Sequence, residues 1–154
     1  MLSESINQFK GKNIVVIGDV MLDKYLFGRV DRISPEAPVP IVLVKDEKYA
    51  AGGAANAANN VVTLGGNSFL FGVTGNDAAK DTLMNLLHKN KINSDGIIVE
   101  KNRSTIQKIR VIGQSQQLLR IDYENNGYIS SHMQIIDAFK NIKPINAIVV
   151  SDYA

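Results

Sequence analysis

Four short apolar runs, rich in β-branched residues, alternate along the chain with segments of helical periodicity. The runs are residues 12–18, 68–73, 96–100 and 146–152. The helical segments are residues 54–64, 78–89 and 131–141. Buried strands that alternate with helices are typical of a parallel sheet with right-handed crossovers. The sequence therefore predicts an α/β fold, a Rossmann-type parallel sheet with helices on both faces.

Two further segments interrupt this alternation. Residues 39–45 and 104–123 have the composition of strands, and the second segment divides into two strands around the tetrapeptide GQSQ. That pattern is typical of an antiparallel hairpin, which does not belong in a parallel sheet. We therefore expect a small β lid over one edge of the sheet. We assign it to about residues 24–50 and 103–123 of one domain that spans residues 1–154.

The composition is typical of a globular protein, and we expect a cytoplasmic location. The 154 residues include 17 basic and 15 acidic side chains, and the basic ones are dispersed along the chain. Nucleic-acid binding is therefore not expected. No cysteine is present, which excludes disulfides and thiolate metal sites. No apolar run approaches the roughly 18 residues of a membrane-spanning helix, so no membrane association is expected.

The candidate ligand site lies at the carboxyl ends of the strands, where open α/β sheets bind their ligands. Asp19 follows the first strand, Asp23 lies four residues later, and Asp152 follows the last strand. Aspartates at such positions can accept hydrogen bonds from sugar hydroxyls. They can equally form turns, cap helices or simply end a strand, and spacing alone leaves both interpretations open.

A second candidate is the stretch AGGAANAA at residues 51–58. Gly52 and Gly53, followed by a helix, bring bare backbone and unpaired amides to one point that an oxygen-rich ligand can approach. Asn56 in the first turn can both donate and accept, as a pair of sugar hydroxyls requires. The alternative is a glycine turn that leads into an alanine-rich helix, with Asn56 merely solvated.

The predicted hairpin carries Lys108 and Arg110 on one strand and Arg120 on the other. If residue 112 pairs with residue 116, the three side chains share a face and form a basic cluster suited to a phosphate. If residue 112 pairs with residue 117, Arg120 lies on the face opposite to Lys108 and Arg110. A solvated outer face of the lid is the other interpretation.

The remaining polar residues offer less. Residues 75–77, with the sequence GND, predict a turn and an N-cap at Asp77 for the next helix. His88 and His132 are isolated, so we expect neither a metal site nor a catalytic histidine.

Three separate segments resemble a known family. AGGAANAA at residues 51–58, then Gly65 and Gly75 with six and nine residues between, is similar to the N-terminal signature of the ribokinase-like (PfkB) sugar kinases. Within that family, GDVMLDKYLFGRVDRISPEAPVPIV, GGAANAANNVVTLGG and QQLLRIDYE most closely resemble the D-glycero-β-D-manno-heptose 7-phosphate kinases. These kinases occur alone or as the first domain of bifunctional heptose kinase/adenylyltransferases. The resemblance runs from about residue 10 to residue 154.

The resemblance implies an activity and a set of roles. The activity is transfer of the ATP γ-phosphate, with Mg²⁺, to O1 of the heptose 7-phosphate, on the route to ADP-heptose and the lipopolysaccharide core. Asp19, Gly52, Gly53 and Asn56 would hold sugar hydroxyls, with Asp23 a further candidate. Lys108, Arg110 and Arg120 would be candidates for the 7-phosphate end. A homodimer that pairs through the lid is also implied.

The chain departs from the family pattern in one respect. A second motif of the Asp-x-x-Gly-Ala-Gly-Asp type, which supplies the general base and the support for the transferring phosphate, does not occur in these 154 residues. We therefore expect an N-terminal half that is inactive alone, with no catalytic residue of its own. The alternatives are a related kinase for ribose or fructose, and a non-catalytic α/β module that binds a sugar.

Overall fold

The computed structural model describes residues 6–124 and 127–153. Its helices and strands, in chain order, are β1 (Asn13–Gly18), β2 (Val20–Ile33), β3 (Pro40–Gly53), α1 (Ala54–Thr63), β4 (Asn67–Thr74), α2 (Ala78–Lys89), β5 (Asn93–Val99), β6 (Ile106–Gly113), β7 (Gln116–Tyr123), α3 (His132–Lys140) and β8 (Ala147–Ser151). The strands form two four-stranded sheets.

The first sheet has the strand order β5-β4-β1-β8, and all its neighbouring strands are parallel. β1 lies between β4 and β8, with Val15 opposite Phe69 on one side and Ile148 on the other. The four strands are those predicted from the apolar runs. The prediction of a parallel α/β sheet is confirmed.

Helices cover both faces of the first sheet, as the contacts of two successive residues of β4 show. Leu70 is fully buried in a cluster with Ala58 of α1 and Leu83 of α2. Phe71, the next residue, contacts Phe139 of α3 instead, with 5.9 Å between ring centroids. Since successive strand side chains point to opposite faces, α3 lies across the sheet from α1 and α2. Burial of these apolar side chains is the main source of stability for this layer arrangement.

The start of each of the first two helices follows from local sequence. Asp77 caps α2, as predicted, and its Oδ1 accepts a hydrogen bond from Lys80 N at 2.9 Å. α1 begins after Gly53, which has φ 55° and provides no side-chain cap. Ala54, Ala55 and Ala58 are fully buried, so their small side chains allow α1 to pack closely against the sheet.

The second sheet has the strand order β3-β2-β6-β7. β2 pairs antiparallel with β3 and parallel with β6, and β6 pairs antiparallel with β7. The predicted hairpin is therefore present and lies outside the first sheet. β2 was not predicted as a strand, and β3 is much longer than the predicted segment at residues 39–45.

The register of the hairpin corrects one inference from sequence. Ile112 pairs with Gln117, the case expected to place the basic residues on opposite faces. A bulge leaves Leu118 without a partner, and beyond it Arg110 pairs with Arg120 and Lys108 with Asp122. Directly opposed residues of an antiparallel pair share a face, so the extra residue restores the shared face. The rule applied to the sequence was wrong because it assumed a regular ladder.

Within residues 6–124 and 127–153, no helix combines the length and the apolar character needed to cross a membrane.

Candidate functional site

Asp19 connects β1 to β2 at the carboxyl end of the first sheet. Its carboxylate Oδ2 accepts a hydrogen bond from Tyr153 N at 2.8 Å. Its carbonyl accepts one from Ala54 N at 2.9 Å, and its own amide donates to Ser151 O at 3.0 Å. Asp19 therefore lies between the end of β8 and the first turn of α1. Asp152, which precedes Tyr153, is exposed at the same edge.

Gly52 and Gly53 bring the end of β3 against both candidate aspartates. A Cβ at Gly52 would lie 2.6 Å from Asp23 Oδ2, and one at Gly53 would lie 2.3 Å from Asp19 O. Gly53 also adopts a positive φ, which favours glycine. Any side chain at either position would displace these neighbours. The glycines thus determine how closely the backbone, Asp19 and Asp23 converge.

We call the place where Asp19, Asp23, Gly52 and Gly53 meet the glycine corner, or simply the corner. The first turn of α1 begins there. No side chain caps this turn. The amide of Ala54, the first residue of the helix, donates to the Asp19 carbonyl. Asn56 is on the exposed side of that turn. Amides at a helix N-terminus that are not all used within the helix attract oxygen ligands. An exposed carboxamide beside them adds a donor and an acceptor to the corner.

Asp23 connects this corner to the second sheet through an ion pair with Arg110. Arg110 Nη1 lies 2.5 Å from Asp23 Oδ1, and the side chains are 24% and 17% exposed. The guanidinium also lies over the ring of Tyr25, 5.3 Å from its centroid. The hydrogen bond to Asp23 is the main cause that raises the pKa of Arg110 above its usual value. Arg110 is therefore a fixed cation at the junction of the two sheets.

Lys108 and Arg120 lie on the same face as Arg110, and each contacts a carboxylate. Lys108 Nζ lies 3.3 Å from Asp122 Oδ2 and 2.9 Å from Glu124 Oε1. Arg120 Nε lies 2.9 Å from Asp122 Oδ1. The hydrogen bond that Lys108 donates to Glu124 is the main cause that raises the pKa of Lys108, although partial burial opposes it. The structure thus brings the three predicted cations together, but interleaves them with carboxylates.

Sequence reasoning missed Glu124 and the pairing role of Asp122. Strand alternation was the signal available, because it places residues 120, 122 and 124 on one face. With Asp23, Asp122 and Glu124 set against three cations, the cluster is close to neutral. It is an ordered ionic network and not a patch of free positive charge.

Among residues 6–124 and 127–153, no group of three or more His, Cys, Asp and Glu side chains could hold a metal ion. The carboxylates of Asp19 and Asp23 are suited to accept hydrogen bonds.

Comparison with known proteins identifies the family. Residues 11–153 match the pfkB family carbohydrate kinases. The bifunctional protein HldE of Aliarcobacter butzleri (strain RM4018) is 48% identical over 147 residues, which cover 94% of this chain and 31% of that protein. Its counterpart in Caulobacter sp. (strain K31) is 42% identical over 147 residues, 95% of this chain and 30% of that protein. The chain thus spans under a third of the length of the curated relatives that it matches.

Solved structures share the fold. Phosphofructokinase-2 from Escherichia coli, in complex with substrates and products, superposes with a TM-score of 0.64 at 18% identity, over 92% of this chain and 44% of that one. Ribokinase from Cryptococcus neoformans var. grubii, in complex with ADP, gives a TM-score of 0.61 at 17% identity, over 91% of this chain and 40% of that one. With the match over residues 11–153, these findings show that the chain belongs to the pfkB family of carbohydrate kinases.

Proposed function

We propose that this chain forms the acceptor-sugar part of a kinase that phosphorylates O1 of D-glycero-β-D-manno-heptose 7-phosphate. The product would be the 1,7-bisphosphate used for ADP-heptose and the lipopolysaccharide core. The observation that carries the proposal is the convergence of Asp19, Gly52, Gly53 and Asp23 beside the open first turn of α1. Family membership and the HldE relatives support it.

The chemistry of the corner fits a polyhydroxylated ligand. A carboxylate accepts hydrogen bonds from hydroxyls, and an exposed carboxamide both donates and accepts. Asp19 and Asn56 are therefore assigned to sugar hydroxyls, with backbone at Gly52 and Gly53 as the surface that the sugar approaches. Asp152, which precedes the Tyr153 amide bonded to Asp19, is assigned to the rim of the site.

The second sheet is assigned the role of a lid that contributes the phosphate-binding end. Arg110 joins this sheet to the corner, and Lys108 and Arg120 lie on the same face of the hairpin. A phosphate dianion can replace a carboxylate as the partner of arginine or lysine, because it offers more acceptor oxygens and more charge. Asp23, Asp122 and Glu124 hold the cations in place until that exchange.

The phosphoryl donor is assigned to ATP with Mg²⁺. When bound, this group supplies the transferring phosphate and the cation that neutralises its developing charge. The residues of this chain are assigned to holding and orienting the acceptor only. Their partners in the transfer, the general base included, are assigned to the larger part of the relatives that the match does not cover. Residues 1–154 alone are then expected to be inactive, and we expect the complete enzyme in the cytoplasm, where ATP is available.

A homodimer is part of the proposal. On the face of the second sheet opposite Arg110, the exposed apolar side chains include Leu119 (55%), Ile121 (39%), Tyr123 (50%), Tyr49 (39%) and Val44 (42%). Register places them on one face, with Tyr49 opposite Lys24 and Ile121 opposite Ile109. A second copy of this face would cover the apolar surface isologously.

The test uses the full-length protein with ATP and heptose 7-phosphate. Asn56→Ala is expected to raise the KM for the sugar on the order of tenfold, the effect of losing a hydrogen-bonding side chain. Asn60→Ala is the matched control, since Asn60 is exposed one turn further along α1. Unchanged sugar affinity in Asn56→Ala would remove Asn56 from the site. Faster turnover of ribose or fructose 6-phosphate than of heptose 7-phosphate would show that the heptose is not the preferred acceptor.

A further inference from the structure

We infer that Glu100 is a positioning residue that ties both ends of the β6–β7 hairpin to the first sheet and so sets where the hairpin holds its cations. The link from this position to substrate binding rests on the proposed function. The mechanical part of the inference does not, because it depends only on contacts within the chain.

Glu100 is fixed to the first sheet by its backbone. It follows β5 directly, and its amide donates to Thr74 O, at the end of β4, at 2.9 Å. Its side chain is 12% exposed. The carboxylate thus occupies a fixed place at the carboxyl end of the sheet, at the point where the chain leaves for the hairpin.

The segment that returns from the hairpin donates four hydrogen bonds to one oxygen of this carboxylate. Glu100 Oε1 accepts from Ser130 N at 2.8 Å, Ser130 Oγ at 2.9 Å, Ser131 N at 2.9 Å and Ser131 Oγ at 2.8 Å. Ser131 is the N-cap residue of α3. A carboxylate at a helix N-terminus also interacts favourably with the helix dipole. Glu100 therefore fixes the point at which the chain re-enters the α/β layers.

The outgoing segment contacts the other oxygen. Arg103 Nε lies 3.1 Å from Glu100 Oε2, and Arg103 Nη2 donates to Gly127 O at 2.5 Å. The Arg103 side chain is only 9% exposed. One carboxylate and one guanidinium thus bridge the two chain segments on either side of the hairpin.

A second set of contacts holds only the outgoing segment. Asp77 Oδ2 accepts a hydrogen bond from Thr105 N at 2.8 Å, and Thr105 Oγ1 accepts one from Gly75 N at 3.1 Å. Loss of the Glu100 carboxylate should therefore release the returning segment more than the outgoing one. β7 lies on that side of the hairpin and carries Arg120 and Asp122.

The test compares Glu100→Gln with Asp95→Asn in the full-length protein. Asp95 is exposed on the same strand and its side chain bonds to Asn93, so this control removes an equal charge outside the bridge. Ser130→Ala is the milder second variant, since it removes one hydroxyl donor and keeps the carboxylate. Each variant is measured by hydrogen exchange without substrate and by steady-state kinetics.

Glu100→Gln is expected to speed amide exchange in β7 while exchange in β4 stays as in the wild type. It is also expected to raise the KM for the sugar on the order of tenfold and leave the KM for ATP unchanged, since the loss is of charge-assisted hydrogen bonds that act on the hairpin. Ser130→Ala should show a smaller effect in the same direction, and Asp95→Asn none.

Unchanged exchange in β7 would overturn the inference, and so would faster exchange throughout the protein with both KM values raised. Faster exchange in β7 with an unchanged sugar KM would overturn the link to substrate binding. A wild-type protein that does not phosphorylate the heptose would instead refute the proposed function, and the exchange data would still decide the role of Glu100.

Discussion

Arg110 and Asp23 form an ion pair between residues 87 positions apart in the chain, with Nη1 of the arginine 2.5 Å from Oδ1 of the aspartate. The pair joins β6 to β2, two parallel neighbours in the second sheet. Asp23 also lies against Gly52 at the end of β3. The position of a hairpin cation is therefore set by the same aspartate that borders the glycine corner.

Removal of the Asp23 carboxylate should destabilise the second sheet. Asp23→Ala leaves Arg110 without its main partner, in a site where both side chains are less than a quarter exposed. We expect a loss of about 1–3 kcal/mol in the free energy of unfolding, between the values for exposed and buried pairs. Urea denaturation measures it. The control is Asp46→Ala, whose contact with Lys48 is 3.9 Å long and more than half exposed. An equal loss in both variants would contradict the role given to the Asp23 pair.

A methyl group at Gly52 should disturb the corner directly. In Gly52→Ala the new Cβ would lie 2.6 Å from Asp23 Oδ2 and 2.8 Å from Met21 Cγ, so both side chains must move. We expect the sugar KM to rise about tenfold or more, since a small misplacement of binding groups weakens every contact that they make. Kinetics of the full-length protein measure it.

Gly11→Ala is the control for this substitution. Gly11 has a positive φ but no atom within 4 Å of its would-be Cβ, so the change adds backbone strain remote from the corner. It should cost stability and leave the sugar KM unchanged. Wild-type kinetics in Gly52→Ala would show that the corner does not contact the acceptor.

Stability should depend on the ionisation of Glu100 at acid pH. The hydrogen bond from the Ser131 hydroxyl is the largest cause that lowers the pKa of Glu100 to about 2, from its ordinary value of 4.5, with further bonds from Ser130 and Arg103 outweighing burial. A carboxylate with a depressed pKa stabilises the fold above its unfolded-state pKa, and the contribution is lost as the pH falls through the folded-state value.

The difference in unfolding free energy between the wild type and Glu100→Gln should therefore be constant from pH 7 to about 4.5 and shrink towards pH 2. Chemical denaturation at a series of pH values measures it. A difference that stays constant down to pH 2 would show that the Glu100 carboxylate is not selectively stabilised in the folded state.

A charge on the apolar face of the second sheet should separate the subunits. Ile121→Lys places an ammonium group in the proposed interface, where it would lose its water without gaining a partner. We expect a shift from dimer to monomer in sedimentation velocity, with secondary structure retained. Leu64→Lys is the control, because Leu64 directly follows α1 and its side chain is 37% exposed. A wild-type protein that is monomeric at micromolar concentration would rule out this interface.

The first sheet could be predicted from sequence because its two central strands, β1 and β4, are largely buried, and its edge strands β5 and β8 carry apolar runs as well. Val15 and Val16 are both fully buried, and a continuous apolar run is the signal of such a strand. α1 and α2 show helical periodicity because each of them buries one apolar face. Burial requires apolar residues at regular positions, and that pattern can be recognised in a single sequence.

β2 has no such signal because each of its faces mixes polar and apolar groups. Asp23 and Tyr25 share one face, while Lys24 and Leu26 share the other. Neither alternation nor a continuous apolar run results. The strand exists because β3 and β6 pair with it on either side, and long-range pairing of this kind cannot be inferred from local composition.

The candidate site was predictable as a set of residues but not as a geometry. Asp19, Gly52, Gly53 and Asp23 do converge, since the end of a parallel strand and a glycine turn mark that edge of the sheet. The carboxylate partners of the hairpin cations depend on the register, which one unpaired residue, Leu118, decides.

The bulge at Leu118 also bears on how the length of this hairpin can vary among related chains. A chain without that residue could join Gln117 directly to Leu119 in a regular ladder, and the ionic and apolar faces of β7 would stay as they are. Loss of one more residue from the strand would exchange the two faces, so that Arg120 would point where Leu119 now points. The hairpin can therefore accommodate the deletion of one residue, but a second deletion would exchange its ionic and apolar faces.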